Sequence, residues 1–222
     1  MSLDGLLAQL EARHGSTRSL AAGFRQEKRF SFMKKPIISE GFIIFAAPDK
    51  IRFDITKPFQ TALLDEGRKV QRYEVIDGQW RPLQFGGGKS VKLVMGQIGQ
   101  WMQGKFSGQE EIFALSMSAG DPNDHAVLNL EPHHKQFRQY IEKIQVHIAP
   151  APTYRVTRID IHEPQGDSFS LIFSGEQKNK RLPEGCFSDP KTAAQCIDLF
   201  KHSGESKNKS EGKDDAKCPA GG

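Results

Sequence analysis

Four runs rich in β-branched and aromatic residues follow one another in the first half of the chain: GFIIFAAP from Gly41, KIRFDITKP from Lys50, FQTALLDEG from Phe59 and KVQRYEV from Lys69. They recur at about ten-residue spacing, punctuated by Gly, Pro and Asp, and no helical segment separates them. Strands joined so closely can only run antiparallel, since a parallel pair needs a crossover of a dozen or more residues. The first half is therefore a meander. The rhythm resumes later with IFALSMS, HAVLNLEP, YIEKIQVHIAP, TYRVTRIDIHEP and SFSLIFSG, the last two separated by a turn over Gln165, Gly166 and Asp167. Along RVTRIDIHE, alternation sets Val156 with Arg158 and Ile159 with Ile161, which predicts one buried and one wet face.

Two segments carry a different period. Leu3, Leu6, Leu7 and Leu10 fall on one helical face and predict a short amphipathic helix over residues 3–13, ending near Gly15. An isolated helix of that length needs a surface to lie on. In KSVKLVMGQIGQWMQ, residues 89–103, Val91, Val94, Met95, Ile98 and Met102 form a second stripe with Trp101 alongside. Gly96 and Gly99 inside it each cost a helix up to about 1 kcal/mol, so this helix is marginal unless its apolar face is covered. Thioethers beside an aromatic ring also suit a surface that adapts to variable apolar ligands.

Composition narrows the function. A mean hydropathy of -0.54, with no run near the roughly 18 apolar residues of a spanning helix, predicts a soluble chain. The 31 basic and 27 acidic residues are interspersed, so no basic stripe forms for nucleic acid. The leucines of MSLDGLLAQLEARHG are interrupted by Asp4, Gln9 and Glu11 and lack a basic leader, so the segment does not read as a secretory signal. Residues 201–222 have no apolar periodicity and read as a polar tail holding Cys218; residues 1–200 read as one domain. Cys186 and Cys196 are close enough in sequence to close a small loop in an oxidising compartment, or to stand as two separate thiols.

No catalytic constellation emerges. Gly86, Gly87, Gly88, Lys89 and Ser90 ahead of a helix suggest a phosphate loop, but Leu83 stands where that pattern requires glycine. His133 and His134 are adjacent and, on a strand, point to opposite faces. There is no HxxxH, CxxC or GxSxG, so neither enzyme nor metal site is expected.

A series of short motifs resembles the LolA-like outer-membrane lipoprotein carriers. They are Phe24-Arg25-Gln26, Ser39-Glu40-Gly41-Phe42 leading through Pro48 to Ile51-Arg52-Phe53, then Pro58, Gly67 and Tyr73. Leu128-Asn129-Leu130-Glu131-Pro132 follows, then Ile159 to Asp167 and the strand from Ser170 to Phe173. The resemblance implies a mainly β fold: a strongly curved, incomplete antiparallel barrel of about eleven strands lidded by short amphipathic helices. It implies a periplasmic monomer without cofactor. Such a carrier takes the acyl chains of a lipoprotein or other lipid from an inner-membrane exporter to an outer-membrane acceptor, touching the membrane surface transiently. Ile43, Phe45, Ile51, Phe53 and Leu63 then line the cavity, with Leu6, Leu10, Val91, Val94, Met95, Ile98 and Met102 in the lid. Ala47 stands where such carriers commonly hold an arginine that ties lid to sheet, and Arg52 falls on the face opposite Ile51 and Phe53. That departure keeps two other readings open: an accessory protein for a dedicated lipid or polyene export system, and an envelope interaction or sensor module.

Overall fold

The computed structural model describes residues 2–84, 88–120 and 125–201, with backbone alone for residues 88–93, 136, 200 and 201. Helix α1 (Leu3–His14) starts at Ser2, whose hydroxyl accepts from the Gly5 amide at 3.2 Å. The meander follows as β1 (Ser19–Arg29), β2 (Ile37–Ala46), β3 (Lys50–Lys57), β4 (Thr61–Asp65), β5 (Val70–Ile76) and β6 (Gln79–Leu83). Helix α2 (Gly88–Met102) leads to β7 (Phe113–Ser118), β8 (Ala126–Pro132), a single helical turn α3 (Lys135–Arg138), β9 (Lys143–Ile148), β10 (Val156–His162) and β11 (Ser168–Lys178). A 3₁₀ turn (Pro190–Thr192) and helix α4 (Ala193–Lys201) end the described chain.

All eleven strands form one antiparallel sheet in the order β6-β5-β4-β3-β2-β1-β11-β10-β9-β8-β7, which does not close into a barrel. The two edges, β6 and β7, are consecutive along the chain and joined through α2. Bulges at Ala21/Gly23, Glu40/Gly41 and Val156/Arg158 bend the sheet. Gly41 is required at its bulge, because a Cβ there would sit 1.9 Å from the Asp54 carbonyl oxygen and 2.7 Å from Cζ of Phe24.

One face of the sheet, the inner face, carries the main core. Leu20, Ala22 and Phe24 of β1 join Ile43, Phe45, Ile51 and Phe53 on one side and Leu128, Leu130, Ile144, Val146, Ile159 and Leu171 on the other. Helices α1 and α2 lie over this face through Leu6, Leu10, Ile98, Trp101 and Met102. The outer face is covered around β1–β3 by residues 182–199, which make a second small core with Ala21, Phe42 and Ile44.

Two expectations are corrected here. The bulge at Val156/Arg158 adds a residue, so Val156 turns inward with Ile159 and Ile161 while Arg158 stays exposed. The outer side of β10 is not simply wet, for Asp160 is 6% exposed and belongs to a polar ladder. It accepts from Arg158 Nε at 2.9 Å, from Ser170 Oγ, and pairs with His147 Nε2 at 3.0 Å. Burial opposes ionisation of Asp160, but these bonds prevail and hold its carboxyl below the usual range. Residues 85–87 of the glycine run, and the tail beyond 201, lie outside the described residues.

Candidate apolar binding face

The strand positions expected to line a cavity meet on the inner face. Ile43 pairs with Phe53, and Phe45 with Ile51, across the β2–β3 ladder, and Phe53 pairs with Leu63 on β4. Directly opposed residues share a face, so these five form one apolar strip. Ile43, Phe45, Ile51 and Phe53 are buried and Leu63 is partly buried against the same core. Phe53 stacks on Phe24 of β1 with ring centroids 4.5 Å apart and an interplanar angle of 15°.

The helical positions meet there as well. Leu6, Leu10, Ile98 and Met102 are buried in the main core, and Val94 and Met95 pack on it at its margin. The side chain of Val91 lies outside the described residues. Trp101, at 1% exposure, sets its ring edge-on to Phe113 at 6.0 Å. Gly99 allows α2 to sit this low, since a Cβ there would fall 2.8 Å from Cδ2 of Phe45. Gly96 faces open space, with nothing within 4 Å.

The fit of α2 is apolar but not polar. Oε1 of Gln97, Gln103 and Gln109 and Nε1 of Trp101 are buried without a hydrogen-bond partner among the described residues. An unsatisfied buried group costs about 1–3 kcal/mol. Gln103 and Gln109 donate through Nε2 to the Gly99 carbonyl (2.6 Å) and to Gln100 Oε1 (2.8 Å), so the helix and the loop after it are held by burial of their apolar face and by a polar set that is only partly satisfied.

Helix α1 is fastened differently. His14 in its last turn is 3% exposed, its Nε2 lies 3.0 Å from the Tyr154 carbonyl oxygen, and its Nδ1 meets the Lys178 ammonium. An ammonium can only donate, so Nδ1 accepts and the ring proton resides on Nε2, donated to Tyr154. Burial, then the Lys178 charge, lower the His14 pKa against the weaker pull of Glu176 and the backbone bonds. The unfolded chain therefore binds the proton more tightly than the folded one. This contribution to stability is complete above the ordinary pKa of 6.5 and is lost as pH falls from there through the lowered folded value. Acidification from pH 7.5 to 5 is expected to loosen α1, read as lower amide-exchange protection factors across residues 6–14 after correction for the intrinsic rate at each pH, and a His14→Gln variant is expected to lose that pH response.

Arg52 and the cysteines lie on the outer face, away from this strip. Arg52 has no exposed surface. It pairs with Asp54 at 2.8 Å and donates to the carbonyls of Cys186 (2.9 Å), Asp189 (3.1 Å) and Pro190 (3.0 Å) and to the Thr192 hydroxyl. Burial pushes Asp54 up to about 6 despite the neighbouring guanidinium. Cys186 and Cys196 are buried free thiols with Sγ atoms 3.4 Å apart. Their contact, with burial, raises the Cys186 thiol, while the bond from Cys186 leads in lowering Cys196, with Arg52 assisting.

The sequence reading missed α4 and this outer cap. The signal was present: Asp189 ahead of Pro190 is a helix-start pair, and Ala193, Cys196, Ile197 and Phe200 recur at helical spacing. Asp189 indeed caps the turn, its carboxylate accepting from the Lys191 amide at 2.9 Å.

The site is thus an apolar inner strip of an open antiparallel sheet, covered by helices α1 and α2. Among the described residues no group of three His, Cys, Asp or Glu side chains is placed to hold a metal, and no helix is long and apolar enough to cross a membrane. The family model for the outer membrane lipoprotein carrier protein LolA matches residues 15–189, and the chain belongs to that family. No curated protein sequence matches it. Among solved structures it is similar to the LolA superfamily protein NE2245 from Nitrosomonas europaea, at 14% identity over 86% of this chain and 99% of that one, with a TM-score of 0.46. It is similar to the Mycobacterium tuberculosis lipoprotein LppX, at 12% identity over 82% and 99%, TM-score 0.47. MucB in the Pseudomonas aeruginosa MucA/MucB complex matches at 14% identity over 83% of this chain and 60% of that one, TM-score 0.38.

Proposed function

We propose that this protein is a periplasmic, non-enzymatic carrier that shields the acyl chains of a lipoprotein, or of a related acylated lipid, between the inner face of its sheet and helices α1 and α2. The observation that carries this reading is the strip of Ile43, Phe45, Ile51, Phe53 and Leu63, contiguous with Leu6, Leu10, Val94, Met95, Ile98 and Met102. Burying an acyl chain is worth about 0.8 kcal/mol per CH₂, so extraction from a bilayer needs a surface nearly as apolar as the bilayer itself. A strip of that kind left open would be an aggregation-prone patch. The helices cover it in the closed state, and cargo takes their place in the open one.

Handover then depends on a small free-energy difference between the two states. The orphaned polar atoms of Gln97 and Trp101 in α2, and of Gln103 and Gln109 just after it, support a lid whose closure is only modestly favourable. Native mass spectrometry of the chain purified without detergent is expected to show a stoichiometric acylated ligand. If no lipid is retained, and an environment-sensitive apolar dye is not displaced by acyl compounds, the carrier reading fails. In the oxidising periplasm, Cys186 and Cys196 are expected to close a disulfide that fastens the outer cap, with two thiols losing two protons and two electrons to the compartment's oxidants.

The two glycines of α2 test the lid with opposite signs. Gly96→Ala adds a methyl where there is room and removes the helix cost of glycine, stabilising closure by up to about 1 kcal/mol and weakening acyl binding by up to about fivefold. Gly99→Ala forces the buried Phe45 ring or the helix to move, and is expected to lower the melting temperature and free the lid. Dye-displacement affinities that move in the same direction for both variants contradict a lid.

A further inference from the structure

Six large apolar side chains among the described residues are well exposed: Phe32 (81%), Met33 (43%), Ile37 (44%), Phe59 (80%), Ile76 (40%) and Tyr140 (55%). Every strand pairing is antiparallel, so connections alternate between the two ends of the sheet. Phe32 and Met33 lie in the β1–β2 connection and Ile37 opens β2. Phe59 lies in the β3–β4 connection, Ile76 ends β5, and Tyr140 precedes β9. All six occupy the same end.

The β1–β2 tip adds charge. Residues 28–37 read KRFSFMKKPI, with Lys28, Arg29, Lys34 and Lys35 and no acidic residue. Lys34 and Lys35 are exposed and make no ion pair among the described residues. The acidic neighbours are Glu27, held by Arg25 and Arg29, and Asp167, which accepts from the Ser31 amide at 2.8 Å. That bond, with Met33 N–H donating to the Phe30 carbonyl at 3.0 Å and the Lys28 ammonium 4.7 Å above the Phe30 ring, gives the tip a definite shape.

The geometry points to this rim as the surface on which the protein docks to a bilayer rich in anionic phospholipid, with Phe32, Met33 and Phe59 entering the interface and Lys34 and Lys35 meeting the phosphates. Aromatic and thioether side chains flanked by lysines are the composition of interfacial anchors, and basic residues draw them to anionic lipid. The exposed apolar groups stand on separate tips along one rim rather than in a groove, which suits contact with a plane. This surface gives the proposed carrier a place to load or unload, and to that extent it rests on the carrier reading.

Flotation of the full chain with vesicles of phosphatidylcholine alone, or with one third phosphatidylglycerol, tests it. The expected result is binding to the anionic vesicles that weakens as salt is raised. Phe32→Ser combined with Phe59→Ser is expected to reduce it at least tenfold, and Lys34→Glu with Lys35→Glu to abolish the preference for anionic lipid. These residues lie outside the buried cores, so melting temperature and acyl-dye displacement are expected to stay unchanged. Absence of vesicle binding at low salt, or binding that neither double variant alters, overturns the proposal. Loss of acyl retention with vesicle binding intact overturns the carrier reading alone.

Discussion

Replacing Phe53 with glutamate is expected to abolish acyl-chain retention while leaving the sheet assembled. Phe53 lies midway along β3, paired with Ile43 and Leu63 and stacked on Phe24, so a side chain there meets whatever occupies the inner face. A carboxylate facing hydrocarbon without a partner costs several kcal/mol, and about 3 kcal/mol already weakens binding by more than 100-fold. Phe53→Leu removes the ring but keeps an apolar surface and is expected to retain ligand. The comparison is made by native mass spectrometry on proteins whose far-ultraviolet circular dichroism matches the parent. Leu63→Glu places the same charge on the same strip from a position that is only partly buried, which lowers the folding cost. Ligand retained in both folded glutamate variants assigns the acyl site elsewhere.

The second large effect concerns stability. Arg52→Met is expected to cost about 3–5 kcal/mol, because it strands Asp54 in a site with almost no solvent and removes the donors serving three carbonyls of the outer cap. For a chain of this size that is a fall in melting temperature of roughly 10 °C. Adding Asp54→Leu removes the stranded carboxyl and is expected to recover part of the loss, leaving the carbonyl penalty. Amide exchange distinguishes local from global effects: the cap over residues 182–199 is expected to lose protection before β8 and β9 do. Equal loss in both regions shows that Arg52 supports the sheet as a whole rather than the cap.

The antiparallel sheet was legible because runs of β-branched and aromatic residues are separated by turn residues rather than by helical segments. The inner strip rests on the family resemblance: Ile51 and Phe53 do alternate with Arg52 and Asp54, but Leu63 lies between Ala62 and Leu64, where period two distinguishes no face. The lid stripe followed from period 3.6. Three things were not legible. The bulge at Val156/Arg158 inverts the facing of a strand without leaving a composition signal. The β6 strand, QWRPL, is a five-residue edge with proline, too short and too polar to stand out. The burial of Arg52 depends on a segment more than 130 residues away, and alternation correctly placed it opposite Phe53 without revealing what covers it.

The strand order has a consequence for how the molecule assembles. Every neighbouring pair of strands joins consecutive segments of the chain except β1–β11. The sheet is thus two local meanders, β1–β6 and β7–β11, sewn along one seam between its first and last strands. Local pairings close short loops and form early, whereas the seam must bring Leu20 to Lys178 and Arg29 to Ser168. The slow step in folding is expected to be the meeting of two preformed wings. Because α2 joins the wings only at their free edges, cutting the chain beside it should leave the seam, and the sheet, intact.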